Sequence, residues 1–216
     1  MFELKRDKKI FIVTNRHLIE KGNIYDVIEK CALKGADGVI LREKDLSYDS
    51  LKKMAEGIKN ITDKYNIPLI INGNIDVAKN VNAYGFHTGV DEFRRMSPMS
   101  QVISNHEEKE GLGCTFATFR AREYDSQKLV LGVSVHSSDE AIEAEKLGAN
   151  YIIAGHIFET ECKPGLKARG IEFIQKVCKS VRIPVIAIGG ITPNNLNEVL
   201  NTEVFGVAVM SYGMKI

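Results

Sequence analysis

Short apolar runs alternate along this chain with longer stretches in which apolar residues recur every third or fourth position. The runs at 10–14, 38–44, 68–73, 85–88, 129–136, 151–158, 185–188 and 206–211 are rich in β-branched residues and too short for helices, which predicts strands. In the run from Val185 to Ile188 the apolar residues do not alternate with polar ones, as expected for a parallel strand covered on both faces. Between the runs, Asn23 can cap a helix with Ile24, Val27, Ile28, Cys31 and Ala32 on one face, ended by Gly35. A long helix is predicted over 47–65 from Leu51, Met54, Ala55, Ile58 and Ile61, and a brief one over 76–81. Ser137 and Glu140 form a capping box opening a helix that runs to Leu147, and 170–180 carries another. After the seventh strand, Thr192 is expected as N-cap with Pro193 at the first helical position. Eight strands alternating with at least six helices predict an α/β fold, a (β/α)8 TIM barrel. An open doubly wound sheet is the alternative, and it would lack paired turns after strands seven and eight.

Two segments depart from the pattern. From about 90 to 113 the periodicity fades, which predicts a long, partly helical excursion after the fourth strand, emerging at the barrel mouth as a lid, with a helix near 115–122. At the other end, too few residues follow Ser211 for the last helix of the ring. Val207 and Val209 are then expected to lie bare unless the N-terminal segment or a second copy covers them, which predicts a homodimer.

Composition narrows the function. With 216 residues, 44% of them hydrophobic, residues 1–216 are expected to form a single domain with a full core. A net charge of +1, from 29 basic and 28 acidic residues, offers no surface for nucleic acid or membrane and favours small-molecule work. The start has no signal-peptide run, so a cytoplasmic location is expected. Cys31, Cys114, Cys162 and Cys178 lack CxxC spacing and read as reduced thiols.

In a parallel barrel the chemistry sits where strands end. That rule singles out Arg42, Lys44, Asn72, His87, His136, His156, Thr160, Lys163, Gly190 and Ser211. Gly189 and Gly190, with Met210 and Ser211 ending the next strand, form paired amide-rich turns suited to a phosphate; the alternative is a plain tight turn. Arg42 can grip a planar anion bidentately and Lys163 can act as a point charge, the alternative being ion pairs that close strand ends. For Cys162 a loop-packing role is preferred over a nucleophile, since no partner base is visible. His17 and His106 read as surface or loop residues.

The runs Leu41-Arg42-Glu43-Lys44, Ile70-Ile71-Asn72-Gly73, Gly132-Val133-Ser134-Val135-His136-Ser137 and Gly155-His156-Ile157-Phe158-Glu159-Thr160-Glu161-Cys162-Lys163, followed by Gly189-Gly190, resemble the superfamily of thiamine phosphate synthase and the thiazole tautomerase TenI. The resemblance implies a thiazole phosphate substrate, with Arg42, Lys44, Asn72, Ser134, Thr160 and Lys163 as its contacts. It also implies a phosphate seat at Gly189, Gly190, Met210 and Ser211, and His136 as the acid/base. The synthase branch joins a pyrimidine diphosphate to the thiazole phosphate and needs Mg2+, held in part by an acid after the third-strand Asn and another after the fourth strand. Here the first position is Gly73, and the second is Glu92 or Asp91. An expected glutamine is Ile40, and an expected threonine is Cys162. His87 matches a synthase histidine, whereas His156, where that branch usually has none, is open to a site or a structural role. These departures favour the tautomerase: an isomerase with no cofactor and no metal, using His136 as a base in a dry site. The alternatives are the Mg2+-dependent synthase and a non-catalytic binder of thiazole phosphate.

Overall fold

The computed structural model describes residues 8–96, 129–160 and 165–216. Eight strands, β1 (Lys9–Val13), β2 (Gly38–Leu41), β3 (Leu69–Asn72), β4 (Gly85–Gly89), β5 (Val130–Val135), β6 (Tyr151–Gly155), β7 (Val185–Ile188) and β8 (Gly206–Val209), pair in chain order as a closed parallel barrel. Closure is made by β8 against β1, with Ile10 beside Val207 and Phe11 beside Ala208. The helices are α1 (Ile24–Leu33), α2 (Tyr48–Lys64), α3 (Ile75–Asn80), α4 (residues 90–96 as described), α5 (Ser138–Lys146), α6 (Gly170–Ser180), α7 (Leu196–Leu200) and α8 (Ser211–Met214). The expected (β/α)8 fold is therefore present. No helix among the described residues is long and apolar enough to cross a membrane.

Alternation along each strand divides the core in two. Ile10 and Ile12 of β1 face outward into the layer shared with the helices. Phe11 and Val13 face inward, where they meet Ile40, Ile70, Val130, Tyr151, Ile153, Ile186 and Ala208. The interior is also polar at one point. His87 of β4 is buried and stacks on Tyr151 at 5.6 Å between centroids. Its Nδ1 lies 3.1 Å from the Tyr151 hydroxyl and its Nε2 2.8 Å from Ser134 Oγ. A neutral imidazole has one donor and one acceptor, and each can be matched by a hydroxyl. Gly132 makes the arrangement possible: a Cβ there would sit 2.1 Å from the Tyr151 ring.

Several local expectations are corrected. The second strand ends at Leu41 instead of continuing to Lys44, because the Arg42 N–H donates to Thr14 Oγ1 at 2.9 Å and leaves the ladder. Thr192 is not an N-cap. The chain turns first, with the Thr192 N–H donating to Asn195 Oδ1 at 2.8 Å, and α7 starts only at Leu196. The excursion begins as helix, since residues 90–96 follow β4 directly. Its remainder from 97, and the helix expected near 115–122, lie outside the described residues. Finally, the chain does not end bare. The single turn of α8 folds over the β1–β8 seam and packs beside α1, with Met214 only 1% exposed and the Cys31 thiol donating to the Gly213 carbonyl at 3.5 Å. Val207 and Val209 are buried by the chain itself, so the premise that called for a homodimer is absent.

Two consequences can be measured. Met214→Ala should cost roughly 2–5 kcal/mol in urea unfolding, the usual range for emptying a buried methionine site. A change below about 1 kcal/mol would mean that α8 does not seal the seam. Burial holds His87 down to about 3. Unfolded, the same side chain takes a proton near the ordinary value of about 6.5. Its contribution to stability is thus fully present above pH 6.5 and is lost as pH falls from there toward 3, by up to about 1.4 kcal/mol per pH unit. Unfolding midpoints at pH 7 and pH 5 should separate in the parent and draw together in His87→Gln.

Candidate active site

The C-terminal ends of the strands open into a cavity of about 960 Å³. Arg42, Lys44, Asn72, Ser134, His136, Thr160, Gly189, Gly190, Met210 and Ser211 all line it, together with His156. Lys163 and Cys162 lie outside the described residues, as does His106. His17 is at the surface, 3.1 Å from Asp45, and His87, buried in the barrel interior, lines the cavity floor.

The β2 side is organised by a residue that sequence reasoning missed. Arg16, in the 3-10 turn Arg16–Leu18 after β1, donates its guanidinium to Glu43 at 2.9 Å and to Asp45 at 2.7 Å. Its backbone N–H also donates to the buried Glu43 carboxylate, at 3.0 Å. Arg16, and to a lesser degree His17, holds the Asp45 carboxyl well below the usual range, and Asp45 and then Glu43 raise the Arg16 guanidinium in return. Both acids next to the cavity cations are thereby engaged. Arg42 and Lys44 make no side-chain ion pair among the described residues, which leaves two positive charges for an anionic ligand. Nothing in the sequence marks Arg16, because its partners lie 27 and 29 residues away and are brought near by β1–β2 pairing.

Across the mouth, Gly189 and Gly190 follow β7 with φ of 109° and 65°. A Cβ on Gly190 would lie 2.4 Å from the Glu159 carbonyl oxygen, so the close approach of the β6 loop requires glycine. Asn195 braces the turn by donating Nδ2 to the Gly190 carbonyl at 2.9 Å. The β6 loop is tied to the same turn, with the Phe158 N–H donating to the Gly189 carbonyl at 3.0 Å.

His136 directly follows β5 at the rim. Its N–H donates to Glu140 Oε2 at 2.5 Å, and its side chain is 41% exposed. That is not the dry setting expected of an acid/base histidine. Of the two acids after the fourth strand, Glu92 is the one that reaches the cavity. Glu92 lines the cavity, whereas Asp91 is 81% exposed and pairs with Arg94, which also forks onto Glu143. Among the described residues, no group of three or more His, Cys, Asp or Glu is gathered as a metal site would require.

The family model of thiamine monophosphate synthase matches residues 10–120 and 115–212. The chain is 37% identical over 205 residues to the thiamine-phosphate synthase of Clostridium acetobutylicum, covering 95% of this chain and 86% of that protein. It is 35% identical to the one of Clostridium tetani, covering 95% and 87%. Among solved structures, thiamine phosphate pyrophosphorylase from Pyrococcus furiosus superposes with a TM-score of 0.73 at 29% identity, covering 97% of this chain and 89% of that one. These relatives overturn the tautomerase expectation, which weighed Gly73, Ile40 and Cys162 above the similarity of the whole chain. On fold, cavity and similarity together, the chain belongs to the thiamine monophosphate synthase family.

Proposed function

We propose that the chain is a transferase that joins hydroxymethylpyrimidine diphosphate to thiazole phosphate, giving thiamine phosphate and diphosphate. One observation carries the reading beyond family membership. Two cations without ion-pair partners among the described residues, Arg42 and Lys44, share a cavity with the Gly189-Gly190 turn. The reaction brings one phosphate and one diphosphate to a single site, and this arrangement offers a separate seat for each. In the transfer, the C–O bond of the pyrimidine methylene breaks and its electron pair leaves with the diphosphate. The lone pair of the thiazole nitrogen forms the new N–C bond, and no proton moves. What the protein must supply is therefore position and charge, not a base. Arg42 and Lys44 hold the departing diphosphate, and the turns at Gly189, Gly190, Met210 and Ser211 hold the thiazole phosphate. Asn72, Ser134 and Thr160 are assigned contacts with the substrates. His136 has no proton to transfer and is assigned a rim contact.

The residues present suit Mg2+ only in company with substrate. Such an ion commonly takes one or two carboxylates plus phosphate oxygens and water. Glu92 provides one carboxylate, since its pair with Arg95 at 2.8 Å is exposed and costs little to open. Gly73 provides none, and Glu43 is engaged by Arg16. Bound there, Mg2+ would neutralise part of the diphosphate charge.

Incubation with both substrates and Mg2+ should yield thiamine phosphate, and no product under those conditions would sink the reading. Arg42→Ala should lower turnover by roughly 10²–10³, the scale for removing one group that stabilises developing charge. Near-parental turnover would remove Arg42 from the site. By calorimetry, the protein alone should bind Mg2+ weakly and bind it tighter once hydroxymethylpyrimidine diphosphate is present, and Glu92→Gln should abolish that gain. Gly73→Asp should strengthen it. The space where a Cβ would stand is open, and aspartate tolerates the φ of 78° better than most residues. An unchanged affinity in both variants would exclude this corner as the metal site.

A further inference from the structure

His156 is a buried histidine that the transfer chemistry above does not use. It directly follows β6, is 4% exposed, and lines the cavity. Its backbone is clamped: the Arg169 N–H donates to the His156 carbonyl at 3.1 Å, and the next residue, Ile157, donates to the Ile188 carbonyl at 3.0 Å. The side chain is fitted as closely, since a Cβ on Gly189 would stand 2.4 Å from His156 Cβ. Among the described residues the ring has one partner. Nε2 lies 3.1 Å from the Leu166 carbonyl oxygen, which can only accept, so Nε2 carries the hydrogen. In the neutral ring Nδ1 is then a bare acceptor, and it is buried with no hydrogen-bond partner among the described residues. Buried polar atoms are almost always paired, and one left unpaired beside a ligand cavity asks for a donor from the ligand.

We propose that His156 Nδ1 accepts a hydrogen bond from the exocyclic amino group of the pyrimidine substrate and so selects that ring. The inference rests on the synthase reading and adds to it a specificity residue. The choice of donor follows from chemistry. A lone pair repels phosphate oxygens, and the thiazole ring of the second substrate has no N–H or O–H. The aminopyrimidine has an N–H2. The hydrogen bond to Leu166 fixes the tautomer, and Gly189 allows the ring to sit against the phosphate turn, so recognition of the ring and of the phosphate share one piece of backbone.

The test combines a ligand change with a protein change. Binding of hydroxymethylpyrimidine diphosphate, and of the same compound without its amino group, is measured by calorimetry in the parent, in His156→Leu and in His156→Asn. In the parent, loss of the amino group should cost about tenfold in affinity, the worth of one good hydrogen bond. In His156→Leu it should cost almost nothing. His156→Asn, which sets an oxygen near the Nδ1 position, should recover part of the difference. An equal loss in the parent and in His156→Leu overturns the proposal. Because a variant could misfold, the parent labelled with 15N at histidine supplies an independent reading. The Nδ1 resonance of His156 should shift on adding the pyrimidine diphosphate and stay in place on adding thiazole phosphate; a resonance unmoved by a bound pyrimidine overturns the proposal. A protein that makes thiamine phosphate with His156 unperturbed refutes this inference alone. One that binds thiazole phosphate but no pyrimidine diphosphate refutes the synthase reading and this inference with it.

Discussion

Closure of the sheet between β8 and β1 is the constraint on which the rest depends. A parallel strand left at an edge would expose a row of unpaired N–H and C=O groups, and pairing Lys9 to Gly206 through Ile12 to Val209 removes both edges at once. Closure also decides where chemistry can occur. It carries the end of β2 and the end of β7, far apart in the chain, to one mouth, so that Arg42 and Lys44 share a cavity with Gly189 and Gly190. The seam is covered by four residues, Ser211–Met214, because Gly213 brings the turn close to Ile12 and Val209 and lets Met214 fill the space beside them.

The site is held by bonds made between neighbouring loops. Arg16 pairs with both Glu43 and Asp45, and Thr14 fixes the backbone at Arg42, so the β1 loop sets the electrostatics of the β2 loop. The β6 loop is held against the β7 turn in the same way, by the Phe158 N–H and by the glycine that permits the approach. Each strand end is thus positioned by the one beside it. Such a site is stiff where the ligand's anions are expected, and stiffness there is what electrostatic stabilisation requires.

The interior beneath the mouth follows different physics. His87, Tyr151 and Ser134 form a polar chain in a space otherwise filled largely by apolar side chains. Burial lowers the histidine and raises the tyrosine, so both stay neutral. Their hydrogen bonds offset the desolvation that isolated polar groups would suffer. Ser134 belongs to this chain and to the cavity wall at once, which couples the packing of the barrel interior to the floor of the site.

Periodicity along the chain determined the fold, because strands covered on both faces read as unbroken apolar runs and helices on a sheet keep one apolar face. It also determined most of the cavity lining, since in a barrel of this kind the residues after each strand must meet; Arg42, Asn72, His136, Gly190 and Ser211 were all legible for that reason. The choice between reactions was not legible there. Gly73, Ile40 and Cys162 differ from the synthase pattern one at a time, and single positions weigh less than the similarity of the whole chain. Only the tertiary structure could decide which charges are already engaged, because Arg16 meets Glu43 between the neighbouring loops after β1 and β2 and not along the chain. For the same reason it alone separates Glu92 from Asp91: adjacent residues on a helix point about 100° apart, and one faces the cavity while the other faces Arg94.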